Sequence, residues 1–563
     1  MPSLTHIGAA ALQLSLWICS GLSAPTQEEP RLGAVASENA VCSKIGTNLL
    51  QAGGNAADAL VGTVFCIGVT AMYHSGIGGG GFMLVRGSDG KYEFIDFRET
   101  APAAAFQDMY NNNTDLSLYG GLASGVPGEL RGLEYLHRNY GKLSWASVMA
   151  PAIKLAREGF EVTEDLVHYM NSVTPNGNFL IDDPAWAIDF APKGYLVRRG
   201  ETLTRKRYAD TLEAIAREGP DVFYTGPIAE ATIAAVQKAN GTMTLGDLRD
   251  YSVAIRRPAE IQYRGYKLTS VSAPASGAVA LSTLKTVDGY SDFGNPAAVN
   301  LTTHRLDEAM KFAYGQRAKL GDPFFVEGLE EYQDSMLTDE TAAKTRSKIS
   351  DFSTQNVSYY DADGLESLET PGTSHVVTAD KTGLAVSITT TINLLFGSQV
   401  IVPETGVIMN NEMNDFSVPG SSNAFGYIPS PENFIRPGKR PLSSISGTIV
   451  ETPDGKLYFV IGSAGGSRII TTTVQNIHHV IDQNFTTAEA LAAPRLHDQL
   501  VPAQVSFEYA YDNSTVAYMK SLGCNVTWVA PGQSTAQGLR LLPNGTFEAA
   551  GEPRQINSGG FAV

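Results

Sequence analysis

The chemistry of this chain starts at Thr373, inside Pro371-Gly372-Thr373-Ser374-His375. If the peptide bond before Thr373 breaks, a hydroxyl and a new α-amine sit on one residue. A free α-amine titrates near pH ~8. It can therefore serve as the general base that a threonine hydroxyl needs to become a nucleophile. Gly372 is small enough to let that hydroxyl reach the Gly372 carbonyl, which permits an N-to-O acyl shift and ester hydrolysis. Alone, so short a pattern is an ordinary loop in most proteins. Its weight comes from Thr389-Thr390-Thr391-Ile392-Asn393. Two strand-like runs, Ser374 to Ala379 and Leu384 to Thr390, flank the turn Asp380-Lys381-Thr382-Gly383. The hairpin returns Thr391 and Asn393 beside Thr373, where a second hydroxyl would orient the first. The bland alternative is a strand that is merely rich in threonine.

The elements that must position these residues are legible in outline. Phe82 to Val85 and Tyr92 to Ile95 flank Gly87-Ser88-Asp89-Gly90 as a hairpin. Ser37 is a candidate N-cap for a helix to about Gln51, Gly53-Gly54 breaks it, and Asn55 caps a second helix. Helical patterns recur over Ala150 to Gly159, Tyr208 to Glu218 and Ile228 to Ala239. The stretch from Val326 to Gly372 is polar and acidic, and its last part reads as an exposed approach to a boundary. Beyond Thr373, Lys456 to Ile461 reads as a strand, Ile469 to Gln483 as a helix, and Ser417 to Pro441 as a long loop. Helices bracketing hairpin-built sheets predict an α+β layered sandwich, not a doubly wound fold. Gly76-Ile77-Gly78-Gly79-Gly80-Gly81 matches a dinucleotide fingerprint, but it follows a helix-like segment and opens a strand. The required context is missing, and close backbone packing or substrate approach is the better reading.

Charge and cysteine use bound the setting. A net charge of -17 repels phosphate backbones, so nucleic acid is an unfavoured partner. Residues 1–24 read as a cleaved signal peptide, with an apolar run from Ile7 to Leu22 and small residues after it. That run is short for a span of about 20 apolar residues, which leaves a membrane anchor with an extracellular catalytic part as the alternative. Asn-x-Ser/Thr sequons at Asn112, Asn240, Asn300, Asn356, Asn484, Asn513, Asn525 and Asn544 agree with secretion. Cys19 falls in the leader, leaving Cys42, Cys66 and Cys524. Two successive helices can bring Cys42 and Cys66 within bonding distance, against the alternative of two buried thiols.

At this point the residues resemble a family. Thr373-Ser374-His375, Thr389-Thr390-Thr391-Ile392-Asn393 and Phe396-Gly397 look like the γ-glutamyltransferase signature of the N-terminal-nucleophile hydrolases. Asn410-Asn411-Glu412-Met413-Asn414-Asp415-Phe416, Pro441-Leu442-Ser443-Ser444 and Gly462-Ser463-Ala464-Gly465-Gly466 follow in the family's order, and His74 to Gly81 and Phe97-Arg98-Glu99 match upstream. The resemblance implies a four-layer αββα sandwich. It also implies a precursor cut into a large subunit, 25–372, and a small catalytic subunit, 373–563, which stay together as a heterodimer. Thr373 would be the nucleophile and Thr391 its partner, with the N–H groups of Gly465 and Gly466 as oxyanion hole. Arg98 would grip the substrate α-carboxylate with Ser443 and Ser444, because its planar fork suits a carboxylate. Glu412 and Asp415 would hold the α-ammonium, assisted by Asn393. The loop from Ser417 to Pro441 resembles the family's lid, with Phe425 and Tyr427 as gate candidates. Val377 and Leu384 depart from the family pattern at hairpin positions away from the chemistry.

The activity so implied is transfer of a γ-glutamyl group from glutathione or a related compound to water, an amino acid or a dipeptide, through an ester on Thr373. It needs no metal and no organic cofactor. Two alternatives stand beside it: a related amidase acting on acyl side chains or poly-γ-glutamate, and an uncleaved binding protein on the same scaffold.

Overall fold

The computed structural model describes residues 31–111, 113–174, 177–360, 372–420 and 429–563. The leader, the approach to Thr373 over 361–371, the sequon Asn112 and both gate candidates, Phe425 and Tyr427, lie outside the described residues. Thirteen strands build two large antiparallel sheets. They are β1 (Gly33–Ser37), β2 (Gly80–Arg86), β3 (Tyr92–Asp96), β4 (Ala254–Arg256), β5 (Ala259–Tyr263), β6 (Tyr266–Ser270), β7 (Gly372–Asp380), β8 (Ala385–Asn393), β9 (Thr448–Glu451), β10 (Leu457–Ala464), β11 (Thr535–Leu541), β12 (Phe547–Ala550) and β13 (Gly559–Ala562). The first sheet runs β13-β1-β7-β8-β2-β3-β4 and the second β12-β11-β10-β9-β6-β5.

The two sheets stack face to face because their strands alternate apolar side chains on both faces. Phe82 and Leu84 of β2 and Val377 and Ala379 of β7 enter the layer between the sheets, with Ile449, Val460 and Leu539 opposite. Their neighbours Met83, Val85 and Val376 face the other way, into a helical layer built on α1 (Ala40–Gln51), α2 (Ala56–Thr70) and α3 (Glu129–Tyr140). Every residue of α2 is buried, in keeping with a sequence that is apolar or small apart from the capping Asp58 and two threonines. On the far side, α4 (Gly277–Val287), α5 (Val299–Arg317) and α6 (Arg468–Asp482) cover the second sheet. The result is an αββα sandwich.

One local expectation is corrected. Ser37 closes β1 and caps no helix; Asn39 caps α1 by accepting from the Val41 N–H. The reason is tertiary: Ala34 to Ser37 pair with β13 on one side and β7 on the other, and two ladders outweigh a local cap. The polar stretch after Val326 carries helices Leu329–Met336 and Asp339–Lys348, while its last part, read as an exposed approach to the boundary, lies outside the described residues. Asn55 does cap α2, in a reciprocal box with Asp58. The sulfurs of Cys42 and Cys66 bond at 2.02 Å, tying α1 to α2. Cys524 is a buried thiol, pushed up to about 12 by burial.

Both sheets join strands from either side of Thr373, and the first interleaves them. In the first, β1 lies between β13 and β7, and β8 pairs with β2; in the second, β9 pairs with β6. A cut before Thr373 would therefore leave both fragments within each sheet.

Candidate active site

The hairpin register sets Thr391 directly opposite Thr373, with their hydroxyl oxygens 3.3 Å apart. The Thr391 hydroxyl donates to the Gly372 carbonyl at 2.6 Å and accepts from the Asn393 N–H at 2.7 Å. Gly372 is dictated by space: a Cβ there would come within 2.5 Å of the Asn393 and Leu394 carbonyl oxygens. Past Thr391 the ladder shifts register, and Asn393 adopts φ 74°. The Asn393 side chain donates to the Asn411 carbonyl at 2.9 Å, and its own oxygen is buried without a partner among the described residues.

Strand alternation holds β7 on both faces. Ser374, on the helix side, donates to Glu38, whose other oxygen bonds His74 Nδ1 at 2.7 Å. His375, on the sheet side, bonds the Thr389 hydroxyl at 2.8 Å through Nδ1. Burial pushes its ring down to about 3, so it stays neutral. That ring occupies the space beside Gly462 of β10, where a Cβ would meet it at 2.2 Å. β10 then delivers Gly465 and Gly466, with φ 122° and 60°. A Cβ on Gly465 would reach the Gln533 carbonyl oxygen at 2.7 Å. Gly466 and Ile469 line the same cavity as Thr373, so the first turn of α6 brings its partial positive charge to the nucleophile.

Another part of that cavity's lining is charged. Arg98 follows β3 and is only 1% exposed. Its backbone is fixed by Asp96, which accepts from the Arg98 N–H at 3.0 Å, and by the Tyr251 hydroxyl, which donates to its carbonyl at 2.9 Å. Its guanidinium pairs with Glu412 and Asp415, both on a 3-10 turn, and lies 4.0 Å from Glu99. Burial works against the charge on Arg98, but Glu412, Asp415 and Glu99 together hold it above its ordinary value. The three carboxyls crowd one cation. Burial raises Glu412 and Asp415 despite Arg98, and lifts Glu99 to about 8, so the acids do not all ionise together. Ser443 and Ser444 line the cavity as well. One cavity thus joins Thr373, Thr391 and Gly466 to Arg98, Glu412, Asp415 and the serine pair, while Asn393 and Gly465 do not line it. A hydroxyl pair faces a set of fixed charges that fits an amino-acid head group.

The family model described as gamma-glutamyltranspeptidase matches residues 42–561. The chain belongs to this family. It is 58% identical to the glutathione hydrolase proenzyme of Arthroderma benhamiae, across 97% of this chain and 95% of that one. It is 54% identical to the glutathione hydrolase of Aspergillus flavus, across 96% and 91%. The solved cephalosporin acylase of Bacillus halodurans superposes with a TM-score of 0.83 at 28% identity, covering 95% of this chain and 96% of that one. Within this γ-glutamyltranspeptidase framework the two departures have packing reasons. Val377 joins the apolar layer between the sheets, and Leu384 packs into the helix-side core.

Several cavity residues escape a motif search. Asn433 donates to the Asp415 carbonyl at 2.7 Å and accepts from the Leu442 N–H at 2.9 Å, joining the acidic turn to the serine loop. Ser417, Ser430 and Arg317 also line the cavity. The first three sit in the loop flagged as a lid, whose Ser and Asn content gave no position away. Arg317 ends a helix that already carries Arg305, Asp307, Glu308 and Lys311, so its charge alone did not single it out.

Behind the nucleophile hairpin, Thr390 donates to the carboxyl of Glu129 at the start of α3. Burial raises that carboxyl from 4.5 to about 7, while the Thr390 hydroxyl and the Gly76 N–H pull it down. The folded state therefore holds this proton more tightly than the unfolded chain. Stability from this group is full below about pH 4.5 and is lost as pH rises through about 7. In Glu129→Gln the decline between pH 5 and 8 should shrink, by on the order of 2 kcal/mol. Urea midpoints at the two pH values measure it, and parallel declines in variant and wild type would refute the assignment.

Proposed function

We propose that this chain is a γ-glutamyltransferase with glutathione hydrolase activity, which matures by cutting its own Gly372–Thr373 bond. The observation that carries the reading is the Thr373–Thr391 hydroxyl pair, with Thr391 also on the Gly372 carbonyl, in one cavity with Arg98, Glu412 and Asp415. In maturation, Thr373 Oγ adds to the Gly372 carbonyl carbon while the Thr391 hydroxyl bonds the developing oxyanion. The C–N bond breaks, the nitrogen takes the hydroxyl proton and becomes the new α-amine, and water hydrolyses the ester. In turnover that amine takes the Thr373 hydroxyl proton, and Thr373 Oγ attacks the γ-carbonyl of the donor. The proton passes to the leaving amine. Water or an acceptor amine then releases the γ-glutamyl group from the Thr373 ester. The N–H groups of Gly465 and Gly466 serve the oxyanion in both half-reactions.

Arg98 with Ser443 and Ser444 takes the α-carboxylate, and Asp415, Glu412 and Asn393 take the α-ammonium. The large fragment ends at Gly372 and the small one starts at Thr373; the shared sheets favour their staying together. Secretion is part of the reading, supported by the leader-like N-terminus, exposed sequons such as Asn240, Asn484 and Asn513, and the Cys42–Cys66 bond. The test is intact mass together with turnover of a γ-glutamyl anilide. Two fragments, the smaller beginning at Thr373, and release of the aniline are expected, with faster release when a dipeptide acceptor is added. A single uncut chain, or turnover only of an acyl anilide lacking the amino-acid head, overturns the proposal.

A further inference from the structure

The serine loop of this cavity is not self-supporting. Ser443 donates its N–H to the Pro274 carbonyl at 2.8 Å, while Ser276 donates its hydroxyl to the Ser443 carbonyl at 2.6 Å and its N–H to the Ile445 carbonyl at 2.8 Å. The residue that joins these braces is Arg317, the last of α5 and 6% exposed. Its Nε donates to the Ser276 hydroxyl at 3.1 Å and its Nη2 to the Ser444 hydroxyl at 3.3 Å. Arg317 also lines the cavity itself.

Charge makes the position consequential. Arg98 is the cation expected to receive a donor carboxylate, yet it is already paired with Glu412 and Asp415. With an acid ionised beside it, Arg98 keeps little net positive charge, and that acid repels an incoming carboxylate. A second guanidinium on the serine side offsets that repulsion, and its charge is felt as far as Asp415. By donating to Ser444, Arg317 also turns the acceptor side of that hydroxyl to itself, which leaves the serine's own proton to donate into the cavity.

We propose that Arg317 is a positioning and specificity residue for this site: it orients Ser444 and supplies the second positive charge that restricts donors to those with a free α-carboxylate. This rests on the γ-glutamyl reading. Nothing in the nucleophile's own chemistry involves Arg317, so its role is in choosing the donor, not in bond breaking.

The test is direct calorimetric binding, on the matured enzyme, of L-glutamate and of isoglutamine, the same molecule with its α-carboxylate converted to an amide. Self-cleavage serves as the folding control. Wild type should prefer glutamate. Arg317→Met should weaken glutamate by about 10- to 100-fold, the loss of a charge-assisted hydrogen bond, and leave isoglutamine within about threefold. Equal weakening of both ligands, or a preference left intact, overturns the inference while sparing the γ-glutamyl reading. Wild type that binds neither ligand overturns both. If Arg317→Met does not mature, Arg317→Lys decides. It keeps the charge but not the fork, and should weaken glutamate by about tenfold with isoglutamine unmoved; wild-type affinities in that variant overturn the proposal.

Discussion

Thr373→Ala should yield one uncut chain and no turnover, with kcat at least about 10,000-fold below wild type. Both effects come from one atom. The alanine variant lacks the hydroxyl that attacks the Gly372 carbonyl, so the bond persists, and the α-amine that would act as base never exists. Thr391 cannot substitute. Its hydroxyl is committed to the Gly372 carbonyl at 2.6 Å and to the Asn393 N–H, and it carries no amine of its own. The two losses can be separated by co-expressing 25–372 with a small fragment that begins at residue 373. With Thr373 the pair should assemble through the shared sheets and regain turnover; with alanine there it should assemble and stay inactive. Thr373→Ser keeps hydroxyl and amine and should still cut itself. Intact mass and anilide release are the two measurements. A Thr373→Ala chain that matures normally would remove Thr373 from the mechanism.

How much of this was legible depends on how local each signal is. The Thr373–Thr391 pairing could be read because a hairpin is a local object: the turn at Asp380 to Gly383 fixes register, and register fixes which threonines face each other. The glycines at 79 to 81 were read as packing positions, and a Cβ on Gly79 would indeed reach the Thr391 carbonyl oxygen at 2.0 Å. The cavity's remote wall was not readable in this way. Arg317 reaches Ser444 across 127 positions and Asn433 reaches Asp415 across 18, and neither contact leaves a period or a motif in the chain. Ser37 failed as a cap for a related reason. The local preference was present, but β13 and β7, hundreds of residues away, claimed the backbone first.

Arg98→Met should remove turnover of the γ-glutamyl anilide by about 1,000-fold in kcat/KM and cost the fold about 3–5 kcal/mol near neutral pH. The binding loss follows from the missing fork. The stability loss follows from what remains, since Glu412, Asp415 and Glu99 are then buried together without their cation. Burial already raises all three, and removing Arg98 raises them further. A folded-state carboxyl pKa above its unfolded value contributes stability at low pH that is lost as pH rises. The deficit of Arg98→Met should therefore be small near pH 4, where the raised acids of the folded protein hold their protons with or without Arg98, and should grow up to and past about pH 8, the range to which Glu99 is already lifted. Arg98→Lys separates the two effects. An ammonium still compensates the acids, so stability should fall by less, but it cannot bridge a carboxylate as a planar fork does, and activity should drop by about 100-fold. Urea midpoints for both variants from pH 4 to 8, beside anilide kinetics, give the comparison. A pH-independent deficit in Arg98→Met would mean that the arginine acts through packing and not as the counter-charge of the acidic turn.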